Sequence, residues 1–326
     1  MISENNERGR NMEKLHIPIV LASDNNQINA MAVVMTSAIK TADENTFYEF
    51  YCLLSSNVSK ENIERLLECE NDVRNNCSVQ IIDMSVYFQD IDIQYNKKVG
   101  MIHSVTTPAL YRLKTPSILP QHDKVIYLDT DVLVRHDLRG LYEFPIDKAY
   151  LAGVPVVWAQ AKKHNRDKWI SKSKISGMDS YINSGVLLMN LKEMRQGDVE
   201  TKCIHFIGKK EFAALDPADQ LIINVVCYGK IDFLPCKYNV TLSNMKNYQK
   251  MKIFYSEKEI KSSFEDPFII HWTGASKPWK YYDVMLAHEW WRYYQLSPFK
   301  NIPLLRDAKP SFWKKTWKLF LKTLNT

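Results

Sequence analysis

Two aspartates two residues apart carry the sharpest chemistry in this chain. They stand in Val125-Ile-Tyr-Leu-Asp129-Thr130-Asp131-Val-Leu-Val134, bracketed by apolar residues. At the carboxyl end of a strand, such a pair faces the crevice where open α/β sheets bind ligands. Neighbouring carboxylates repel, and a divalent cation resolves the repulsion. Hard oxygen ligands suit Mn²⁺ or Mg²⁺, ions commonly shared with substrate phosphates. A plain turn with two solvated aspartates has the same pattern, so the other segments decide between the two.

Three of them bear on the choice. His271-Trp-Thr-Gly274-Ala-Ser-Lys277-Pro278-Trp279 follows the apolar run Phe268-Ile-Ile270. A histidine at a strand end can complete a metal site, Gly274 lets backbone approach a phosphate, and Lys277 can neutralise one. Tyr181-Ile-Asn183-Ser184-Gly185 is a polar turn ahead of a hydrophobic run, with amides suited to sugar hydroxyls. Asp216-Pro-Ala-Asp219-Gln220 opens a helix, with Asp216 as the cap and Asp219 and Gln220 facing out of the first turn.

The elements that must position these groups alternate along the first half. Ile17–Ala22, Phe47–Leu54, Val79–Asp83 and Val125–Leu128 read as strands. Ala30–Ala42 and Ser59–Glu70 read as helices, the second with Ser59 as N-cap. That order predicts a parallel, doubly wound sheet. The second half is mixed, with strands expected at Leu151–Val157, Ser184–Met189, Ile231–Leu234 and Phe268–Ile270. Helices are expected at Ala218–Cys227 and Met285–Tyr294. No Pro/Gly/Ser-rich linker divides the chain, so one α/β domain over residues 1–298 and a tail over 299–326 are expected.

Composition narrows the function classes. The chain has 326 residues, 45% hydrophobic and 25% charged, as in an ordinary globular protein. The net charge is +6, yet residues 305–326 alone carry +5, from Arg306, Lys309, Lys314, Lys315, Lys318 and Lys322 against Asp307. Lys162–Lys174 carries another +5, which leaves the rest net acidic. A nucleic-acid binder would place its basic charge on the folded body, so no nucleic-acid partner is expected. The six cysteines form no C-x-x-C pair and suggest a reduced, cytoplasmic setting. No apolar run approaches the ~18 residues that span a bilayer. The acidic residues near the N-terminus do not suit a signal peptide.

The ordered motifs resemble glycosyltransferase family 8, retaining, metal-dependent galactosyl- and glucosyltransferases of the GT-A fold. The matching stretches are Leu21-Ala22-Ser-Asp24-Asn-Asn26, His103 to Leu113, Val125 to Val134, Asn183-Ser184-Gly185-Val-Leu-Leu, Asp219-Gln220 and His271 to Trp279. They run from about Ile17 to Trp279, and the likeness is nearest to bacterial lipopolysaccharide α-galactosyltransferases. The resemblance implies a GT-A fold with a single Rossmann-like mixed sheet flanked by helices. It implies that Asp129, Asp131 and His271 hold Mn²⁺ (or Mg²⁺) against the diphosphate of a UDP-hexose, which Gly274 and Lys277 contact. Ala22, Asp24 and Asn26 would line the uridine pocket, beside Thr130 of the aspartate turn. Arg112, Asn183, Ser184, Asp219 and Gln220 would surround the donor sugar, with Gln220 on the β-face of the anomeric carbon. Many relatives carry a tyrosine that stacks on uracil where this chain has Gln27, so the flat platform is lost.

The expected reaction is transfer of galactose or glucose from the UDP-sugar to a glycan or lipid-linked acceptor, as in lipopolysaccharide biosynthesis. The cation and Lys277 would stabilise the UDP anion as the sugar passes through an oxocarbenium-like state. Gln220 is a poor nucleophile, which favours front-face attack by the acceptor hydroxyl. Two alternatives stay open: a metal-dependent phosphohydrolase, since a strand ending in D-T-D also opens aspartate-nucleophile phosphatases, and a non-catalytic nucleotide-sugar or carbohydrate-binding protein.

The tail adds a location. On a helical wheel at roughly 100° per residue, Trp313, Trp317, Phe320, Leu321 and Leu324 share one arc and Lys314, Lys315, Lys318 and Lys322 another. That pattern suits a basic amphipathic helix on an anionic membrane surface, or one packed on the body with its lysines solvated. The first reading makes the protein cytoplasmic and peripheral on the inner membrane face. His103 and Lys162–Lys174 are candidates for a loop covering the substrate.

Overall fold

The computed structural model describes residues 14–87, 107–157, 181–207, 219–281 and 283–304. Strand β1 (Leu15–Ser23) is buried over its last seven residues and pairs in parallel with β2 (Thr46–Leu54). β2 pairs in parallel with β3 (Cys77–Asp83), and β4 (Lys124–Leu128) flanks β1 on its other side, also in parallel. Between them run helix α1 (Ile28–Thr41), whose residues 30–39 are all buried, and helix α2 (Lys60–Leu67). Ser59 caps α2, its Oγ accepting from the Asn62 N–H at 3.3 Å. This half is the parallel β/α alternation that the sequence predicts.

The parallel pattern then breaks. β5 (Val132–Val134) leaves the large sheet, β6 (Leu151–Pro155) follows, and β7 (Ile182–Asn190) inserts antiparallel between β4 and β6. β8 (Ile231–Phe233) closes the edge beside β6, giving the order β3-β2-β1-β4-β7-β6-β8. The large sheet is therefore mixed rather than wholly parallel. A second, three-stranded sheet accompanies it, in the order β5-β10-β9, with β9 Val240–Thr241 and β10 Ile269–His271. The D-T-D turn is where the chain passes from one sheet to the other, which is why Val132–Val134 separates from the strand before it.

The helix predicted from Ala218 is present as Asp219–Val226, and the last helix of the body is Ala287–Tyr294. The latter packs its Trp290, fully buried, against Trp279 and Tyr294. Phe299 is 1% exposed, and Ile302 and Leu304 pack against the same core. His103, Asp216, the Lys162–Lys174 stretch and the tail from residue 305 lie outside the described residues. No helix among the described residues is long and apolar enough to cross a membrane.

Candidate active site

Strand direction assembles the site. Because β7 runs antiparallel to β4, its first residues lie beside the carboxyl end of β4. The register pairs Leu128 with Val186, and the Asp129 N–H donates to the Gly185 carbonyl at 2.8 Å. Asn183, Ser184 and Gly185 thereby reach the aspartate turn from a point more than fifty residues away. β10 pairs antiparallel with β5, His271 opposite Val132, and the Trp272 N–H donates to the Asp131 carbonyl at 3.0 Å. Helix α3 (Thr107–Tyr111) and the 3₁₀ turn after it bring Arg112 over the end of β4.

Asp129, Asp131 and His271 each offer a ligand atom, and these atoms lie within 4.8 Å of one another. His271 Nε2 is 3.1 Å from Asp131 Oδ1 and 4.0 Å from Asp129 Oδ2. Two carboxylate oxygens and an imidazole nitrogen are a donor set that suits Mn²⁺. The space between them is kept by Gly185, where any side chain would press on His271 and Asp129. The residues present fit a divalent cation.

Lys277 Nζ forms an ion pair with Asp131 Oδ2 and donates to the Trp272 carbonyl at 2.7 Å. Burial raises the Asp131 carboxyl's affinity for its proton, but Lys277 and His271 outweigh it and hold this group well below the usual carboxylate range. Gly274 is exposed in the same loop with φ +81°, a conformation that glycine adopts without strain.

Arg112 is the hub of the opposite wall. Its guanidinium bonds Asp129 Oδ1 at 2.7 Å, Asp219 Oδ2 at 3.2 Å and the Ser184 carbonyl at 2.5 Å. It lies 4.2 Å from the centre of the Tyr127 ring, whose hydroxyl donates to Asp129 Oδ1 at 3.2 Å. Burial works against the guanidinium charge, and the two carboxylates more than offset it, so Arg112 stays protonated. Asp219 also accepts from the Ser184 hydroxyl at 2.7 Å. Its proton affinity is nonetheless raised, mainly by burial, with Asp129 adding to the effect and Arg112 opposing it. Gln220 Oε1 accepts from Asn183 Nδ2 at 2.9 Å and from the Ser184 N–H at 3.2 Å.

A cleft of about 180 Å³ opens above these groups. Ala22, Asp24, Gln27, Arg112, Thr130, Asp129, Asp131 and Asp219 all line it. Asn26 does not line it but is tied to Asp24, its N–H donating to Oδ1 at 3.0 Å and its amide to Oδ2 at 3.2 Å. The Thr130 hydroxyl donates to Gln27 Oε1 at 2.7 Å, joining the end of β1 to the aspartate turn. Asn183, Ser184, Gln220 and Asp219 are joined by the hydrogen bonds above, and Lys277 is paired with Asp131.

Sequence reasoning missed Asn239 and Tyr127. Asn239 is fully buried and bonds both His271 and Asn183. Its one local signal is an amide between Tyr238 and Val240 just before a strand. Tyr127 read as an ordinary strand residue, and only the fold shows its hydroxyl on Asp129.

Comparison with known proteins gives the class to which this mixed sheet and its strand-end carboxylates belong. Residues 18–283 match the sequence model of glycosyl transferase family 8, and the chain belongs to that family. It is 24% identical over 276 residues to General stress protein A of Bacillus subtilis (strain 168), covering 83% of this chain and 89% of that one. It is 30% identical over 212 residues to the lipopolysaccharide 1,2-glucosyltransferase of Escherichia coli (strain K12), covering 61% of this chain and 57% of the relative. Among solved structures, the galactosyltransferase LgtC in complex with donor and acceptor sugar analogues superposes with a TM-score of 0.63 at 20% identity. That superposition covers 92% of this chain and 99% of LgtC, and at this identity it speaks to the fold.

Proposed function

We propose that the protein is a retaining, divalent-cation-dependent hexosyltransferase. It takes galactose or glucose from a UDP-sugar and passes it to a glycan or lipid-linked acceptor in lipopolysaccharide or cell-surface oligosaccharide synthesis. The observation that carries the reading is the convergence of Asp129, Asp131 and His271 at one side of a cleft whose other side holds Arg112 and Asp219. Family membership supports transfer of a sugar over a phosphohydrolase.

Asp129, Asp131 and His271 would hold the Mn²⁺ or Mg²⁺, which when bound supplies Lewis-acid stabilisation to the departing diphosphate. Lys277 then serves as a second positive group toward the same phosphates, with Gly274 giving backbone access. Ala22, Asp24, Asn26, Gln27 and Thr130 shape the nucleoside side. Arg112, Asn183 and Ser184 fix the carboxylate and amide that face the hexose.

Neither β-face candidate is a free nucleophile. The Gln220 carbonyl already accepts two hydrogen bonds, and the Asp219 carboxylate is held by Arg112 and Ser184. That supports front-face attack: the acceptor oxygen bonds to the anomeric carbon as the bond to the UDP oxygen breaks, and the departing phosphate takes the acceptor's proton. Gln220 and Asp219 then stabilise the positive charge on the sugar.

The catalytic domain takes in residues 1–298, residues 299–304 stay on its core, and the basic segment 305–326 is the part of the 299–326 tail that would reach an anionic membrane surface. The enzyme would thus sit on the cytoplasmic face, where a soluble donor meets a membrane-borne acceptor. UDP release with Mn²⁺ across UDP-glucose, UDP-galactose and UDP-N-acetylglucosamine tests the reading. Release with one hexose donor that is lost in Asp131→Ala supports it, and no release with any donor and a glycan acceptor, or release that survives Asp131→Ala, sinks it.

A further inference from the structure

His271 and Gln220 are joined by a run of side-chain hydrogen bonds through two asparagines, and each member sets the polarity of the next. Gln220 Oε1 accepts from Asn183 Nδ2 at 2.9 Å. With that amide nitrogen used, Asn183 turns its Oδ1 the other way, where it accepts from the Gly185 N–H at 3.0 Å and from Asn239 Nδ2 at 2.8 Å. Asn239 then has its Oδ1 to offer His271, whose Nδ1 lies 3.0 Å away. A carbonyl oxygen does not donate, so Nδ1 carries a proton, which leaves Nε2 as the nitrogen that a cation between Asp129 and Asp131 would use. Asn239 is fully buried, and its backbone carbonyl accepts from Asn244 Nδ2 at 3.4 Å.

We propose that Asn239 is a positioning residue for the transfer reaction. One end of its amide holds His271 in the tautomer that can ligate a cation, and the other end orients Gln220 through Asn183. A single buried amide thus sets the cation site and the sugar site together. This rests on reading Asp129, Asp131 and His271 as the cation site and Gln220 as a group facing the donor hexose. Metal-binding histidines usually give their second ring N–H to a partner that fixes tautomer and orientation. Aspartate would serve His271 equally well but has no N–H for Asn183. The need for both an acceptor and a donor accounts for asparagine at this position.

Two variants of the full chain separate the two ends. Asn239→Asp keeps the acceptor for His271 and loses the donor to Asn183. Mn²⁺ affinity, read by electron paramagnetic resonance titration without nucleotide, is expected to hold, while kcat falls about ten- to a hundredfold. Asn239→Leu keeps the bulk and loses both ends, so Mn²⁺ affinity falls by a similar factor together with kcat. In the metal-free wild type and in Asn239→Asp, ¹⁵N resonances of His271 are expected to show the proton on Nδ1. Equal Mn²⁺ affinity and kcat in all three proteins overturns the proposal. So does a parallel loss of both in Asn239→Asp and Asn239→Leu, or a wild-type Nδ1 that carries no proton. Asp131→Ala is the control: if it binds Mn²⁺ like the wild type, the cation-site reading itself has failed, and the proposal falls with it.

Discussion

Gly185 and His271 approach so closely that a Cβ on the glycine would lie 2.3 Å from His271 Cε1, and 2.6 Å from Asp129 Oδ2. The glycine is required by close approach, since the start of β7 is wedged against the side chains of His271 and Asp129. Gly185→Ala must push one of them aside. Overpacking of this kind costs about 1–3 kcal/mol of stability. The expected result is a lower melting temperature together with a loss of Mn²⁺ affinity in titration. Unchanged Mn²⁺ affinity would show that the ligands are not set by this contact.

Arg112 bridges two carboxylates, and its fork cannot be copied by lysine. Arg112→Met leaves Asp129 and Asp219 without their shared partner, at a cost of about 3–5 kcal/mol in urea unfolding. Arg112→Lys is expected to fall between this variant and the wild type, since an ammonium meets fewer of the three acceptors Asp129, Asp219 and the Ser184 carbonyl at once. A lysine variant as stable as the wild type would contradict the bridging role.

Away from the site, His122 gives the protein a mild acid sensitivity. Its Nε2 bonds the Tyr51 hydroxyl at 2.7 Å, and burial lowers its pKa from 6.5, although Glu49 opposes this. The unfolded chain therefore binds a proton more readily than the folded one, and stability falls as pH drops below about 6.5. The loss levels off below the folded pKa. His122→Gln is expected to flatten this part of the stability–pH curve in chemical denaturation; an unchanged slope would assign the effect elsewhere.

The basic tail makes a membrane prediction that is independent of catalysis. Full-length protein is expected to float with anionic vesicles and to lose that binding when residues 305–326 are removed, with little binding to neutral vesicles by either form. Equal flotation with and without the segment would remove it as a membrane anchor.

Much of this was legible in the sequence because the motifs are local. D-T-D, N-S-G and the His271 loop each announce themselves within a few residues, and β1, β2 and α1 follow from apolar runs and spacing. Two things were not local. The antiparallel insertion of β7 is a property of pairing, and an apolar run such as Val186–Met189 reads the same in either direction. Asn239 acts through His271, 32 residues on, and Asn183, 56 residues back, and no short window contains that relation. Gln27 is the converse case: the family resemblance leads one to expect a tyrosine there, and in the fold the side chain accepts a hydrogen bond from Thr130.

The central claim is that the two aspartates and the histidine place a cation against the diphosphate of a sugar donor. A crystal soaked with Mn²⁺ and a UDP-hexose, with anomalous data at the manganese edge, tests it most directly. The expected map has one peak within coordination distance of Asp129, Asp131 and His271, in contact with both phosphates, and the hexose lying toward Asp219 and Gln220. UDP-hexose bound in the cleft with manganese elsewhere, or with no manganese peak, would contradict it.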